Sequence, residues 1–211
     1  MTKIKICGLT RKEDIPGVNV LLPDYIGFVF AEKSKRFISR DVAESLKKEL
    51  DNRINAVGVF VDADPDEIVT IVQRGIVDAV QLHGNETDEY VSSLKTRVTV
   101  PVIQAFQIGD ESDITLVCES RADMILLDNG KGTGQSFDWS MVNAVDRPFF
   151  LAGGLDDSNV GNAIRQLHPY AVDVSSRVER DGVKDFDKMK AFVTAVRKSE
   201  IEDQTWKGKR K

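Results

Sequence analysis

The chain has 211 residues, with 29 Lys and Arg against 34 Asp and Glu, a formal net charge of −5, and a composition that is 41% hydrophobic and 30% charged. That length suits one domain with a well-buried core, and the composition is that of an ordinary globular protein, which sets aside disordered and fibrous classes. The negative balance argues against a nucleic-acid footprint spread over the surface and leaves room only for a local basic pocket that takes a small anion. Two cysteines far apart, Cys7 and Cys118, form neither a CxxC pair nor a disulfide framework, so a reducing, cytoplasmic setting is expected and no metal site. The first residues lack the apolar region of a signal peptide, and no run approaches the roughly 18 apolar residues of a membrane span, so no membrane association is expected.

In chain order, Lys3-Ile4-Lys5-Ile6-Cys7 alternates with period 2 and predicts a strand with Lys3, Lys5 and Cys7 on one face and Ile4 and Ile6 on the other. Gly8 then allows a sharp turn. Residues 11–22 read as a helix, 25–30 as a doubly buried strand, 40–50 as a helix and 56–61 as a strand. Asp64, Pro65 and Glu67 signal the start of a third helix, followed by a strand over 79–84 and a helix over 86–95. Pro101 marks the first residues of a strand over 100–106 because it cannot donate to a ladder. A helix over 114–120, with Cys118 assigned to packing, leads to a strand over 123–128 that ends in Asp128.

The loop over 129–138 is rich in glycine, and a brief helix over 141–145 precedes a strand over 149–154. Ser158 or a neighbouring aspartate is expected to cap the next helix, His168 beside Pro169 suits a helix end or turn, and a strand follows over 171–175. Phe186, Met189, Phe192, Val193 and Val196 give the last helix its core face. Eight strands, each followed by a helical pattern, predict an α/β protein: a single (β/α)8 barrel over residues 1–198 and a polar, flexible tail over 199–211. An open doubly wound sheet is the competing topology, since it would separate the first and last strands.

In a barrel, the polar residues within strands point inward or lie at the rim. Lys5 then needs a counter-charge, and Asp173 on the neighbouring last strand is the candidate, so an ion pair is expected. Cys7 and Asp128 end strands that face each other across the mouth and could flank a substrate as base and acid, if nearby cations depress the thiol and desolvation raises the carboxyl. His83, inward with Gln81, is the second candidate base. Gly153 and Gly154 after the seventh strand, and Asp173-Val174-Ser175-Ser176 after the eighth, lie where barrels bind phosphate through backbone N–H groups. Lys33, Lys35 and Arg36 could clamp an anion, with Arg36 best suited to a carboxylate.

Five segments, Lys5-Ile6-Cys7-Gly8-Leu9-Thr10, Gln81-Leu82-His83-Gly84-Asn85-Glu86, Leu127-Asp128 with Gly132-Thr133-Gly134 and Phe137-Asp138-Trp139, Leu151-Ala152-Gly153-Gly154-Leu155, and Asp173-Val174-Ser175-Ser176, together resemble the phosphoribosylanthranilate isomerases of tryptophan biosynthesis. The resemblance runs from residue 3 to about 197. It implies an Amadori rearrangement of N-(5-phosphoribosyl)anthranilate, a small phosphorylated substrate, to 1-(2-carboxyphenylamino)-1-deoxyribulose 5-phosphate, without metal or organic cofactor. Asp128 would protonate the ring oxygen and Cys7 would remove the C2 proton. Arg36 matches the residue that holds the anthranilate carboxylate, and Gly153, Gly154, Asp173, Ser175 and Ser176 match the phosphate region.

The chain departs from the family pattern where Ser34-Lys35-Arg36 stands for Ser-Pro-Arg, where Arg177 replaces a glycine before Val178-Glu179, and where Asp156-Asp157-Ser158 replaces a proline. A non-catalytic or regulatory sugar-phosphate-binding barrel and another phosphosugar isomerase are the alternative functions, because a fold does not fix a function. Oligomeric state is left open.

Overall fold

The computed structural model describes residues 1–128 and 141–208. Eight parallel strands, β1 Lys3–Cys7, β2 Tyr25–Val29, β3 Asn55–Phe60, β4 Ala79–Leu82, β5 Val102–Gln107, β6 Met124–Asp128, β7 Phe149–Ala152 and β8 Ala171–Val174, close into a barrel. β1 pairs with β2 on one side and with β8 on the other, with Lys5 opposite Asp173, so the open-sheet alternative is excluded. Helices α1 Asp14–Leu21, α2 Arg40–Glu49, α3 Pro65–Gln73, α4 Asp88–Lys95, α5 Glu111–Glu119, α6 Val160–Leu167 and α7 Phe186–Gly208 run between and after the strands, with a short 3-10 turn Met141–Ala144 before β7.

Two cores follow from strand alternation. Ile4, Ile6, Ile26, Phe28 and their counterparts face outward and pack beneath the helices, while Val57, Ala79, Ile103, Leu126, Phe150 and Ala171 fill the barrel interior. Each helix turns its apolar stripe inward, as α6 does with Val160, Ala163, Ile164 and Leu167. Among the described residues no helix is long and apolar enough to cross a membrane.

Several expected boundaries shift for identifiable reasons. β5 starts at Val102, after Pro101, whose carbonyl accepts from Val80 N. α4 starts at Asp88 because Glu86 is committed elsewhere: its carboxylate accepts from the backbone N–H groups of Asp62 and Gly84 and ties the ends of β3 and β4 together, leaving Thr87 as the N-cap. Ser158 does not cap α6; the Asp156 carboxylate instead accepts from Ser158 N, Ser158 Oγ and Asn159 N. Cys118 is exposed rather than packed, since α5 turns Ile114 and Val117 inward. His168 ends α6 in the left-handed region, with φ 46°. The helix of α7 continues beyond residue 198 to Gly208, and the glycine-rich loop over 129–138 lies outside the described residues.

Candidate active site

β1 delivers the first two functional side chains. Lys5 is fully buried in the barrel, and its ammonium lies 2.7 Å from Asp173 Oδ2, the ion pair expected from the strand faces. Burial pushes the Lys5 ammonium down, but Asp173 and Cys7 outweigh it and keep the group charged. Asp173 is therefore the buried partner of a lysine inside the barrel. Its second oxygen, Oδ1, is buried and has no hydrogen-bond partner among the described residues.

Cys7 lies one step further toward the mouth, 8% exposed, with Val29 and Val59 around it. Gly27 on β2 makes room for the thiol: a Cβ built there would come 2.6 Å from Cys7 Sγ and 3.1 Å from its Cα. Gly27→Ala is expected to lower turnover more than tenfold while costing only about 1–3 kcal/mol of stability, as overpacking usually does; parallel melting and rate measurements check this. Burial pushes the Cys7 thiol above its ordinary range, while the ammoniums of Lys5 and Lys184 pull it down without prevailing. The cations thus offset desolvation rather than depress the thiol as expected.

Asp128 ends β6 and His83 follows β4. The amide nitrogen of Gln81 lies 2.8 Å from His83 Nδ1, and His83 Nε2 faces Asp128 Oδ2 at 3.5 Å. That arrangement sets His83 beside the carboxylate. Asp128 pushes the Asp173 carboxyl up and His83 pulls it down, both weakly beside the effects of burial and of Lys5.

Arg36 stands in the loop after β2, half-buried, while Lys33 and Lys35 are exposed. Ser34 Oγ accepts from Arg36 N at 3.1 Å, a local turn that orders the loop without the family's proline. The Arg36 stem crosses Gly8, where φ is +86° and any Cβ would meet Arg36 Cδ at 2.3 Å. Its guanidinium is held by Glu179, Nε to Oε1 at 2.6 Å and Nη2 to Oε2 at 2.8 Å. Glu179 therefore occupies the bidentate fork expected to meet a substrate carboxylate, and Nη1 has no hydrogen-bond partner among the described residues.

Glu179 belongs to a feature the sequence reading missed. After β8 and a 3-10 turn Ser176–Val178, two short antiparallel strands, β9 Glu179–Arg180 and β10 Val183–Lys184, form a hairpin that sets Lys184 opposite Glu179. Its turn is Asp181-Gly182, both at positive φ, the Asp-Gly signal of a type I′ turn. Lys184, buried, donates to Glu179 Oε1 at 2.6 Å and to the Ser175 carbonyl at 3.1 Å.

Gly153 and Gly154 both take positive φ, 95° and 68°, so each is required by the turn after β7. Ser175 Oγ donates to the Cys7 carbonyl at 3.1 Å, while Ser176 is exposed at the start of its 3-10 turn. Among the described residues no group of three His, Cys, Asp or Glu side chains could hold a metal ion.

A thiol and a carboxylate thus end strands at one mouth of a closed (β/α)8 barrel, beside a glycine turn and an ordered arginine, the end at which enzymes of this barrel class carry their sites. Residues 4–195 match the family model described as N-(5'phosphoribosyl)anthranilate (PRA) isomerase. The N-(5'-phosphoribosyl)anthranilate isomerase of Endomicrobium trichonymphae is 43% identical over 202 residues, covering 93% of this chain and 99% of that protein. The crystal structure of the phosphoribosyl anthranilate isomerase from Thermotoga maritima superposes with a TM-score of 0.86 at 38% identity, covering 93% of this chain and 99% of that one. A phosphoribosyl anthranilate isomerase in complex with reduced 1-(o-carboxyphenylamino)-1-deoxyribulose 5-phosphate gives a TM-score of 0.83 at 38% identity, with the same coverage. The chain belongs to the N-(5'-phosphoribosyl)anthranilate isomerase family, whose members act in tryptophan biosynthesis.

Proposed function

We propose that this chain catalyses the Amadori rearrangement of N-(5-phosphoribosyl)anthranilate, with Asp128 as general acid and Cys7 as general base. The observation that carries the assignment is the placement of Cys7, beside the Lys5 and Lys184 ammoniums, at the same mouth as Asp128 and His83. Protonated Asp128 delivers its proton to the furanose ring oxygen; the C1–O bond breaks and the anilino nitrogen's electrons close a Schiff base. Cys7, as thiolate, then takes the C2 proton; the C2–H electrons form a C1=C2 double bond while the C1=N π electrons return to nitrogen, which neutralises the iminium as an enolamine. Tautomerisation to the ketone completes the isomerisation with no net redox change. His83, its Nε2 toward Asp128, orients the acid and steadies the carboxylate left after proton delivery.

The anthranilate carboxylate binds the free edge of Arg36, with Glu179 behind it as the brace. Phosphate lies against the backbone of Gly153-Gly154 and the start of Ser176–Val178, where N–H groups provide a cradle for an anion. Asp173 is left out of that cradle, because a carboxylate repels phosphate and its charge is engaged by Lys5. A cytoplasmic setting suits the two isolated thiols and a phosphorylated metabolite.

The assignment is tested by following the loss of anthranilate-type fluorescence as substrate turns over. Arg36→Lys is expected to raise KM about tenfold or more, the ~1.5–3 kcal/mol of a charge-assisted hydrogen bond, with a smaller change in kcat, since it removes planar recognition and keeps the charge. Unchanged KM in that variant would remove Arg36 from the carboxylate site, and binding without turnover in the parent chain would favour a non-catalytic barrel.

A further inference from the structure

Lys184 is a buried cation with no task in the mechanism above. Its side chain is 1% exposed, pinned by Glu179 and by the Ser175 carbonyl. Ser175 is itself tied to the main chain of Cys7 through its hydroxyl, so the lysine is fixed one residue's backbone away from the strand end that carries the thiol.

The charges around that thiol do not cancel. Lys5, on the same strand, is matched by Asp173 on β8. On the other side Arg36 and Lys184 share one carboxylate: Glu179 Oε1 accepts from both, each at 2.6 Å. Two cations and one anion leave a surplus positive charge next to Cys7; of the other charged groups against the hairpin, Arg11, which donates to the Lys184 carbonyl, is paired with Asp14, Arg180 is paired with Asp185, and Lys188 donates to the Glu179 carbonyl, while Asp128 on β6 and His83 after β4 act on Asp173. An ionised Cys7 is the group placed to neutralise the surplus. The coupling is visible from each end: Lys184 pulls the thiol down, and Cys7, with Glu179, holds up an ammonium that burial pushes below the usual lysine range.

We propose that Lys184 is a positioning residue for the isomerisation: through Glu179 it fixes Arg36, and its surplus charge stabilises the Cys7 thiolate that takes the substrate proton. This rests on the assignment of Cys7 as base. The Asp181-Gly182 turn explains why so small a hairpin exists here, since it holds the anion and the second cation face to face at the rim of β1.

The test titrates Cys7 directly. In a Cys118→Ser background, which removes the exposed second thiol, the rate of Cys7 alkylation by iodoacetamide is measured against pH. Lys184→Met is expected to move the midpoint up by about one pH unit, a tenfold drop in thiolate at fixed pH, whereas Lys184→Arg stays near the parent. Glu179→Gln, which keeps shape but removes the shared negative charge, moves it down, and the alkaline rise of kcat/KM shifts with each. Opposite shifts on removing opposite charges do not arise from loosened packing. Midpoints unmoved in both charge-removing variants would overturn the proposal. Should Lys184→Met not fold, Glu179→Gln decides: a downward shift supports it, and no shift or an upward one overturns it. Alkylation reads the thiol whatever its chemical role, so full turnover in Cys7→Ala would sink the base assignment separately.

Discussion

Cys7→Ala is expected to lower kcat by roughly 10²- to 10⁴-fold, the usual worth of a positioned general base, with substrate binding retained. Asp128→Asn should fall by a similar factor, because an amide cannot donate an acid proton to the ring oxygen. The two losses should combine to much less than their product, since acid and base act in one reaction sequence and loss of either stalls it. Neither change should unfold the protein: the Cys7 thiol fills a small gap opposite Gly27, and Asp128 is a rim residue at the end of β6. Cys7→Ser makes a useful companion, because a hydroxyl fits the space but is far too weak an acid to ionise there. Turnover close to that of the parent chain in Cys7→Ala would remove the thiol from the mechanism. His83 would then be the group to examine, although its Nδ1 is already engaged with Gln81.

Breaking the Lys5–Asp173 pair is expected to have the largest effect on stability. Lys5 is wholly buried and its carboxylate partner nearly so, and removing one partner leaves an uncompensated charge in the barrel, which costs about 3–5 kcal/mol. Asp173→Leu should therefore show a greatly lowered unfolding midpoint, while the double variant Lys5→Met with Asp173→Leu recovers most of the loss, because an apolar pair of similar volume carries no desolvation cost. Asp173→Asn separates structure from ligand binding. If Asp173 touched the substrate phosphate, that variant would raise KM and leave the unfolding midpoint alone; the pairing seen here predicts a lower midpoint first.

Strand alternation carried the fold and much of the site. Lys5, Cys7, Gln81, His83, Asp128 and Asp173 all fall on the inward face that period 2 assigns to them, so the Lys5–Asp173 pair could be inferred from two residues 168 positions apart once β1 and β8 were taken as neighbours. What alternation does not convey is partnership outside the strands. Arg36 was identifiable as an anion clamp, but not its brace Glu179, because the hairpin that brings Glu179 and Lys184 together follows the last barrel strand and consists of only two residues a side. The Asp181-Gly182 dipeptide was its one local signal. Asp173 carries two expectations, phosphate contact and partnership with Lys5, and the 2.7 Å contact shows the second. Helix starts slipped for a similar reason: Glu86 was taken as helical from its position, whereas its carboxylate serves backbone donors of the β3 and β4 loops.

The hairpin also changes how the thiol is understood. A buried cysteine at a strand end, by itself, is held protonated, and burial dominates here as well. Cations on two sides limit that effect, one through a matched pair in the barrel and one through a surplus charge at the rim. Those cations work against the desolvation that raises the thiol, as the proposed abstraction of a C2 proton from an iminium intermediate requires.

The most direct test of Cys7 as base uses substrate deuterated at C2, with the rate of deuterium loss compared in the parent chain and in Cys7→Ala. The mechanism predicts loss of the label during turnover by the parent, slowed by a primary isotope effect, and at least about 10²-fold slower loss in Cys7→Ala. Deuterium loss at the parent's rate in Cys7→Ala would contradict it.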